Sequence, residues 1–454
     1  MKCGERKQSE MPAIKHSEMK CEAMDAADRK QIDVQVGEQP DKQPDKTPFG
    51  LSEDGLRGII GRHSTPLYIF DEDEFLSRFD YFHRHLGADI GLTFCMKTNP
   101  FLTAVSLARA ERIEVCSDGE FRICRDLRIP PNRLLLSGVL KSKPCLREAI
   151  RYAGNQAIYT AESEAQLRLL DQLGREAGMT LPVLLRLTSG NQFGMDEAAI
   201  LRLLRLKTNF PNTEISGIHF FSGTQKHRLS KHRKELEKLD AFFRVLEEEV
   251  DFHVPMLEYG TGFGVPYFDG QEEDVTSPAS LQEFRGLLDS MTWKGKVTLE
   301  MGRALAYSCG AYITRVCDVK SNEGKNYVIV DGGIHQLQYD GQIRGMYQPE
   351  IKRLPAHRSE SKEQHYVICG SLCTVNDVIV ADYVSPEIYS GDYLIFGRAG
   401  AYSIYEGMSL FLSHELPGVL LYSKRDGFRK VRGRLETYPL NTPGLLHRNG
   451  TGIP

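Results

Sequence analysis

The stretch GLTFCMKTNPFLTAVSLARAERIEVCSDGE, residues 91–120, contains two short strand-like segments that are apolar along most of their length. It opens a series of eight such segments: GLTFCMK (91–97), RIEVCS (112–117), RLLLSG (133–138), AIYT (157–160), PVLLRLT (182–188), ISGIHFF (215–221), PMLEYG (255–260) and KVTLEMG (296–302). Amphipathic helical patterns lie between them, at residues 120–127, 146–153, 162–177, 196–207, 230–249 and 281–291. Near-continuous apolar strands are typical of parallel sheets covered by helices. Eight β/α units predict a closed (β/α)8 TIM barrel over residues 91–303, because a doubly wound sheet usually has fewer.

Beyond residue 303 the helical patterns disappear and strand patterns replace them. The strand segments are GAYITRVCDVK, NYVIVDGG, HYVICGSL, DVIVADYV, GDYLIFG and GVLLYSK. They predict a mainly antiparallel β domain over residues 304–454. Residues 49–90 contribute an isolated strand, PLYIF (66–70), and a helix. We expect this strand to join the β domain, since the termini of such domains often lie together.

The first 48 residues form a separate compositional class. They are rich in Lys, Glu, Gln, Asp and Met and contain the tandem QPDKQPDK at residues 39–46. Such a segment buries too little apolar surface to offset the entropy lost on ordering, so it is predicted to be a disordered extension.

Composition narrows the class of protein. The 454 residues, 41% of them hydrophobic and 26% charged, are typical of a soluble globular chain of two or three domains. With 57 Lys and Arg against 61 Asp and Glu, the formal net charge is -4, which provides no general attraction to nucleic acid or anionic membrane. The ten cysteines show neither zinc-site spacing nor the density of a secreted disulfide scaffold. Without an apolar run of about 18 residues or a signal peptide, a cytoplasmic location is expected.

The carboxyl ends of barrel strands carry the working residues in this architecture. The candidates by that rule are Lys97, Ser117, Arg186, His219 to Ser222, Gly260 to Gly264 and Glu300 to Arg303. A lysine at the end of an apolar strand is expected to lose solvation, which lowers its pKa and suits a Schiff-base nucleophile. Two structural alternatives stay open, namely a core histidine for His219 and a barrel-interior ion pair for Arg186.

The loop GTGFG, residues 260–264, follows the seventh strand, where barrels often bind phosphate. Its glycines let backbone N–H groups approach phosphate oxygens. It is not a dinucleotide fingerprint, because VPYF and no helix follows. Together with Lys97, Glu300 and Arg303 the loop predicts pyridoxal phosphate: lysine for the aldehyde, loop for the phosphate, carboxylate for the ring nitrogen.

Nine segments occur in order at compatible spacing: CMKTNP (95–100), EVCSDGE (114–120), NQFGMD (191–196), GIHFFSGTQ (217–225), EYGTGFGVPY (258–267), EMGR (300–303), VDGG (330–333), GSLCTVND (370–377) and GAYS (400–403). In these segments the chain resembles the fold-type III pyridoxal-phosphate decarboxylases, the ornithine, arginine and diaminopimelate decarboxylases related to alanine racemase. The resemblance runs from about residue 65 to about residue 423. It implies an amino-acid α-decarboxylase.

The resemblance also implies a role for individual residues. Lys97 would hold the cofactor as a Schiff base, Glu300 would keep its ring nitrogen protonated, and Cys373 would be the general acid that protonates the carbanion. The other cofactor contacts implied are Phe221, Thr224, Gly260, Thr261, Gly262, Met301, Gly302, Arg303 and Tyr402. The substrate contacts implied are Arg303, His335, Thr374, Asp377 and Tyr402. In this family Cys373 and Tyr402 would serve the partner subunit's barrel, which implies a homodimer with shared sites.

Several positions depart from the family pattern. Phe221 stands where a histidine commonly stacks on the cofactor ring, and Thr374 stands where an acidic residue reads the distal ammonium of the substrate. After VDGG, diaminopimelate decarboxylases carry an arginine for the distal carboxylate, whereas this chain has His335, Gln336 and Tyr339. Thr374 and the missing arginine each remove a charge from the distal pocket. Two substrate candidates therefore remain: diaminopimelate, and an amino-acyl group on an acyl carrier protein, as in the butirosin-type enzyme.

Two alternative functions remain open at this point. An amino-acid racemase on the same fold would need two opposed bases and would retain the carboxylate. A non-catalytic regulator that binds pyridoxal phosphate would be expected to lose the lysine, the phosphate contacts or the cysteine, and all of these are kept.

Overall fold

The computed structural model describes residues 48–272, 275–357 and 361–444. The predicted disordered extension, residues 1–48, lies outside these ranges except for Pro48. The described part begins with helix α1 (Glu53–His63), strand β1 (Leu67–Asp71) and helix α2 (Glu72–Leu86). Within the described ranges, no helix is both long enough and apolar enough to cross a membrane.

Eight parallel strands close into a barrel, as the sequence predicts. They are β2 (Gly91–Cys95), β3 (Arg112–Val115), β4 (Leu134–Leu136), β5 (Ile158–Ala161), β6 (Leu181–Leu187), β7 (Thr213–Phe221), β8 (Met256–Gly260) and β9 (Lys296–Met301). Closure occurs between β9 and β2, from the pair Gly91 and Thr298 to the pair Phe94 and Met301. The ends of β2, β3 and β9 therefore meet on one side of the barrel mouth.

Eight helices of the described chain surround the barrel. They are α3 (Thr103–Ser106), α4 (Asp118–Asp126), α5 (Lys143–Ala153), α6 (Glu164–Ala177), α7 (Glu197–Arg205), α8 (Leu229–Val250), α9 (Pro278–Ser290) and α10 (Arg303–Ala306). Five of them, α4, α5, α6, α7 and α9, begin at a Ser or Asp side-chain cap. Ser117 accepts a hydrogen bond from Glu120 N at 3.1 Å and so caps α4, which starts two residues before the predicted helix. Ser117, a strand-end candidate, is thus a helix cap. The short α3 was not predicted, because one turn has no apolar period.

A second sheet follows the barrel and is mixed, mostly antiparallel. Its strands are β10 (Gly310–Asn322), β11 (Lys325–Val330), β12 (Ile351–Leu354), β13 (Gln364–Cys369), β14 (Val378–Ser385), β15 (Tyr393–Phe396), β16 (Gly418–Ser423) and β17 (Gly427–Arg432), and a last turn of helix, α11 (Tyr438–Asn441), follows. The order is β14-β13-β11-β10-β1-β16-β17, and β15 pairs with β10 and β12. The N-terminal β1 therefore lies inside this sheet. Strands β12 and β17 escaped sequence prediction because charged residues dilute their apolar pattern.

Helix α2 anchors the barrel through aromatic packing. Phe75, Phe79 and Phe82 are fully buried at spacings of four and three residues, which places them on one helix face. The ring of Phe75 lies 5.1 Å from Phe94 on β2, and the ring of Phe82 lies 6.2 Å from Phe263. This face joins the N-terminal helix to the first barrel strand and to the loop after β8.

We expect Phe75→Ala to lower the free energy of unfolding by about 3–5 kcal/mol, because it removes a fully buried ring and leaves a cavity. Ser77→Ala, an exposed change on the same helix, should alter it by less than about 0.5 kcal/mol. Chemical denaturation of the two variants tests this, and equal midpoints for both would contradict the proposed packing role.

Candidate active site

A cavity of about 430 Å³ opens at the carboxyl end of the barrel. Its lining brings together most of the residues proposed from sequence, and also several that were not. The lining residues are Cys95, Lys97, Glu114, Cys116, Ser137, Gly138, Val139, Arg186, Phe193, His219, Phe221, Thr224, Gly260, Thr261, Gly262, Phe263, Glu300, Met301, Gly302, Arg303, Ala304, Tyr402 and Glu406. Polar groups therefore converge on one concave site, as ligand pockets require.

The amine of Lys97 is held by a carboxylate. Its Nζ lies 2.5 Å from Oε2 of Glu114, which is 4% exposed. The side chain of Lys97 is 41% exposed, and desolvation of its amine alone would lower its pKa, but Glu114 and the nearby thiols outweigh desolvation and hold that pKa well above its ordinary value. The expected lowered pKa is thus wrong for the cofactor-free chain. Burial likewise would raise the pKa of Glu114, yet Lys97 brings it down to about 2.

Two thiols flank this ion pair. Cys116 Sγ lies 3.4 Å from Lys97 Nζ and 3.1 Å from Glu114 Oε1, while Cys95 is buried beside them on β2. The sequence pattern assigned no role in the site to Cys95, Cys116 or Glu114. The alternation of side chains along a strand could have predicted that Glu114 and Cys116 lie together, because residues two apart point to the same side.

Glu300, at the end of β9, is held by a histidine. His219 Nε2 and Glu300 Oε2 are 3.0 Å apart, and the two side chains are 1% and 5% exposed. The other carboxylate oxygen, Oε1, is buried and has no hydrogen-bond partner among the described residues. His219 therefore lies in the site and contacts its carboxylate. A buried acceptor with a free lone pair is suited to a ligand N–H.

Below Glu300 lies a further buried carboxyl that sequence reasoning missed. Glu258 on β8 is fully buried and accepts a hydrogen bond from Thr93 Oγ1 at 2.6 Å. Burial and then the charge of Glu300 raise the pKa of Glu258 to about 8, while Arg112 acts in the opposite direction. Glu258 is therefore expected to hold a proton at neutral pH, which limits the negative charge in the barrel interior.

The loop after β8 forms a tight cradle. A side chain at Gly262, whose φ is +57°, would meet the Gly223 carbonyl oxygen at 1.9 Å. At Gly260 a Cβ would meet the Phe221 ring at 2.5 Å, so this glycine lets Phe221 lie against the loop and line the cavity. Close contacts with the neighbouring chain thus require glycine at both positions, and both residues line the cavity.

A guanidinium lies beside the cradle. Arg303 donates to Tyr267 Oη at 2.6 Å and to Thr224 Oγ1 at 3.3 Å, and it pairs with Asp340 at 3.3 Å. Its guanidinium carbon lies 4.6 Å from the centre of the Tyr402 ring. The cradle, Thr224, Arg303 and Tyr402 together form a cationic, hydrogen-bonding end of the cavity that suits an anion.

Tyr402 was expected to serve the partner subunit's barrel, and this is wrong. Its N–H donates to the Thr98 carbonyl at 2.9 Å, next to Lys97, and its ring lines the cavity of its own chain. Asn99 Nδ2 donates to the Gly400 carbonyl at 2.9 Å and fixes the same loop. The reason is topological: β15 pairs with β10, which follows directly from the barrel, so the loop after β15 lies beside the chain's own barrel mouth.

Arg186 forms a barrel-interior ion pair, the structural alternative that the sequence left open for it. Its Nη1 lies 2.8 Å from Glu162 Oε1, and both side chains are at least nine-tenths buried. The Phe193 ring stacks on the guanidinium at 4.7 Å. Arg186 lines the cavity, but its charge is already compensated by Glu162.

The remaining sequence candidates lie on the sheet domain, outside this lining. Cys373 is exposed. Asp377 is 3% exposed and accepts from Ile334 N at 2.9 Å and Leu372 N at 2.7 Å, so its carboxylate organises the loops around Cys373 and Thr374. It is therefore a positioning residue rather than a free substrate contact. His335 is 1% exposed, and burial next to His414 lowers its pKa to about 4.

Comparison with known proteins gives one family. The model described as "Pyridoxal-dependent decarboxylase, C-terminal sheet domain" matches residues 41–400. A diaminopimelate decarboxylase of Aquifex aeolicus is 26% identical over 366 residues, 76% of this chain and 84% of the relative. The L-glutamyl-[BtrI acyl-carrier protein] decarboxylase of Niallia circulans is 26% identical over 405 residues, 84% of this chain and 93% of the relative.

Solved structures agree on the fold. The crystal structure of AQ1208 from Aquifex aeolicus has a TM-score of 0.74 and 25% identity, and the match covers 87% of this chain and 94% of that one. Diaminopimelate decarboxylase from M. jannaschii in complex with L-lysine has a TM-score of 0.75 and 21% identity, with 88% and 95% covered.

We expect Glu114→Gln to shift the pH dependence of pyridoxal phosphate uptake to lower pH. Loss of the carboxylate leaves burial as the dominant influence, so the pKa of Lys97 falls and the reactive unprotonated amine is present at lower pH. Uptake rates followed by absorbance across pH test this. Glu111→Gln, just before β3, is the matched control, and an unchanged profile in Glu114→Gln would refute the pairing.

Proposed function

The chain belongs to the pyridoxal-dependent decarboxylase family, and from this premise we propose that it removes the α-carboxylate of an amino acid whose distal end carries no free carboxylate. The observation that carries the substrate class is the pairing of the cavity's three Lys and Arg side chains. Lys97 pairs with Glu114, Arg186 with Glu162 and Arg303 with Asp340.

The residues present fit pyridoxal phosphate. Lys97 would hold the aldehyde carbon, the unpartnered Oε1 of Glu300 would take the ring N–H, and Phe221 would lie against the ring. The Gly260 to Gly264 loop, with Thr224, Arg303 and Tyr402, would hold the phosphate. Met301 and Gly302 complete the wall between Glu300 and Arg303. When bound, the cofactor supplies an aldehyde for the substrate amine and a ring that takes up the electrons left when carbon dioxide departs.

Proton handling falls to the chain's own side chains. Glu114 contacts Lys97 and would orient its amine, while the proton that Lys97 sheds before it reacts would pass to solvent. His219 contacts Oε2 of Glu300, so Oε1, which has no partner among the described residues, would be the oxygen that stabilises a protonated ring nitrogen. Phe221 contributes an apolar face with no proton to exchange, which excludes water from that side.

We assign the general acid to Cys373 of a second copy. The thiol is exposed and does not line the cavity of its own chain, while Val375, two residues on, is 92% exposed. An apolar side chain so exposed suits burial against another subunit. Asp377 stabilises this loop through Leu372 N, so the thiol would be presented in a fixed position. In this arrangement each site of a homodimer is completed by its partner.

Mixing Lys97→Ala with Cys373→Ala tests the shared site. Each variant alone should be nearly inactive, but half of the reassociated dimers would combine one copy of each and contain one intact site. Activity should therefore recover to about a quarter of the wild-type value. No recovery, with mixed dimers verified by two affinity tags, would place Cys373 outside the partner's site.

The substrate class follows from charge. A distal carboxylate would find Lys97, Arg186 and Arg303 already paired, and the cofactor phosphate would also draw on Arg303. A buried charge without a partner is strongly disfavoured. An amide or thioester has no such charge, which favours a masked distal group of the kind that the name of the Niallia circulans relative describes.

A second substrate class, a diamino acid, is favoured by one residue. Glu406 lines the cavity, and burial raises the pKa of its carboxyl while Arg303 acts in the opposite direction. A distal ammonium could pair with this carboxylate. In this class Glu406 would bind the distal ammonium of the substrate, because Thr374, at the position of the acidic residue in related enzymes, offers only a hydroxyl.

A carbon dioxide release screen separates these classes. We expect L-glutamyl acyl carrier protein and distal amides to react at least about tenfold faster in kcat/KM than meso-diaminopimelate or free glutamate, since one mispaired charge costs 1.4 kcal/mol or more. Faster turnover of meso-diaminopimelate would overturn the proposal. If lysine or ornithine leads and Glu406→Gln raises KM only for them, the diamino-acid class holds. Exchange of the α-hydrogen in heavy water without carbon dioxide would indicate a racemase.

A further inference from the structure

Three neighbouring strands bring a thiol and two carboxylates together at the barrel mouth. Strand β2 lies between β3 and β9, so Cys95 on β2 has Glu114 on one side and Glu300 on the other. A sulfur and two carboxylate oxygens from these residues lie within 4.8 Å of one another, and all three residues are buried. This is a mixed sulfur and oxygen donor set in a dry site, which is unlike a cluster of exposed acids.

One donor in the set is free. Glu300 is 5% exposed, its Oε1 has no hydrogen-bond partner among the described residues, and the residue lines the cavity. Glu114 is balanced by Lys97, whereas the ion-pair contact of Glu300 is the imidazole of His219. A buried carboxylate of this kind gains from a nearby cation.

We propose that, in the chain without its cofactor, Cys95, Glu114 and Glu300 bind a divalent cation of the zinc class. Thiolate and carboxylate ligands together suit Zn²⁺, with about 2.3 Å to sulfur and about 2.0–2.2 Å to oxygen. Such bond lengths place tetrahedral donors roughly 3.3–3.8 Å apart, so donors that lie within 4.8 Å of one another need to close by at most about 1.5 Å. Three protein ligands leave a fourth position for water.

Binding is coupled to loss of one proton. The metal–sulfur bond forms as the Cys95 S–H bond breaks, and the proton passes to solvent, so no oxidant or reductant is needed. Because a metal–thiolate bond forms only with loss of this proton, metal affinity should weaken as the pH falls.

The cation and the cofactor compete for the same atom. This part rests on the proposed function, in which Oε1 of Glu300 takes the ring N–H. With Zn²⁺ on that oxygen and on Glu114, the ring and Lys97 could not be engaged together. Free zinc would then slow cofactor uptake and so delay the conversion of newly synthesised chain into holoenzyme.

Cobalt(II) is the probe, because a cobalt–thiolate bond has a near-ultraviolet charge-transfer band that weaker oxygen sites lack. Full-length chain, freed of cofactor, is titrated with Co²⁺ and then with competing Zn²⁺. We expect a thiolate band that Zn²⁺ abolishes, and at least about a hundredfold weaker binding in Cys95→Ala, since loss of a ligand exceeds the effect of losing its supporting contacts. Cys317→Ser, at an exposed thiol outside the cavity, is the matched control.

Three results would overturn the site: an unchanged band in Cys95→Ala, loss of the band in Cys317→Ser, or equal Co²⁺ binding by cofactor-loaded enzyme. Circular dichroism of Cys95→Ala checks its fold, and Cys95→Ser provides a second variant of closer size. In the wild type, pre-bound Zn²⁺ should slow cofactor uptake, and a chelator should restore it. Decarboxylase activity of metal-free holoenzyme is measured separately, so failure of the metal site and failure of the proposed function give different results.

Discussion

Closure of the barrel between β9 and β2 is the constraint on which the rest of the site depends. The strands carrying Lys97 and Glu300 are separated by some 200 residues of chain, and the pairing from Gly91 to Phe94 against Thr298 to Met301 makes them neighbours. The ion pair between Lys97 and Glu114 follows on the other side of β2. The pairings of β2 with β9 and with β3 thus bring an amine and two buried carboxylates to a single mouth.

Docking of the sheet domain completes that mouth. Tyr402 N donates to the Thr98 carbonyl and Asn99 donates to the Gly400 carbonyl, so the sheet-domain loop is fixed to the residues that flank Lys97. Tyr402 has a φ of +65°, an uncommon backbone conformation for a tyrosine that these hydrogen bonds hold in place. The barrel and sheet are therefore coupled next to Lys97.

Each Lys or Arg side chain in the described cavity lining forms an ion pair with a carboxylate, and this limits which charged ligands the cavity can bind. Lys97, Arg186 and Arg303 each contact a carboxylate, which leaves no uncommitted Lys or Arg in the described lining for a distal carboxylate. Glu300 and Glu406 are the carboxylates left without such a pair. A distal amide, an ammonium and a divalent cation are all compatible with that excess of negative charge, and a free carboxylate is not.

The sequence by itself determined the barrel, the sheet that follows it, the position of Lys97 after the first barrel strand and the glycine-rich loop, because apolar periodicity and glycine spacing are local properties of the chain. It could not reveal that Tyr402 lies in its own chain's cavity, that Asp377 organises a loop, or that the edge-like β12 and β17 pair, since these depend on which strands become neighbours. It also gave the wrong direction for the pKa of Lys97. Burial can be read from an apolar strand, but the Glu114 carboxylate 2.5 Å away exists only after β2 and β3 pair in register, and that distance decides the sign.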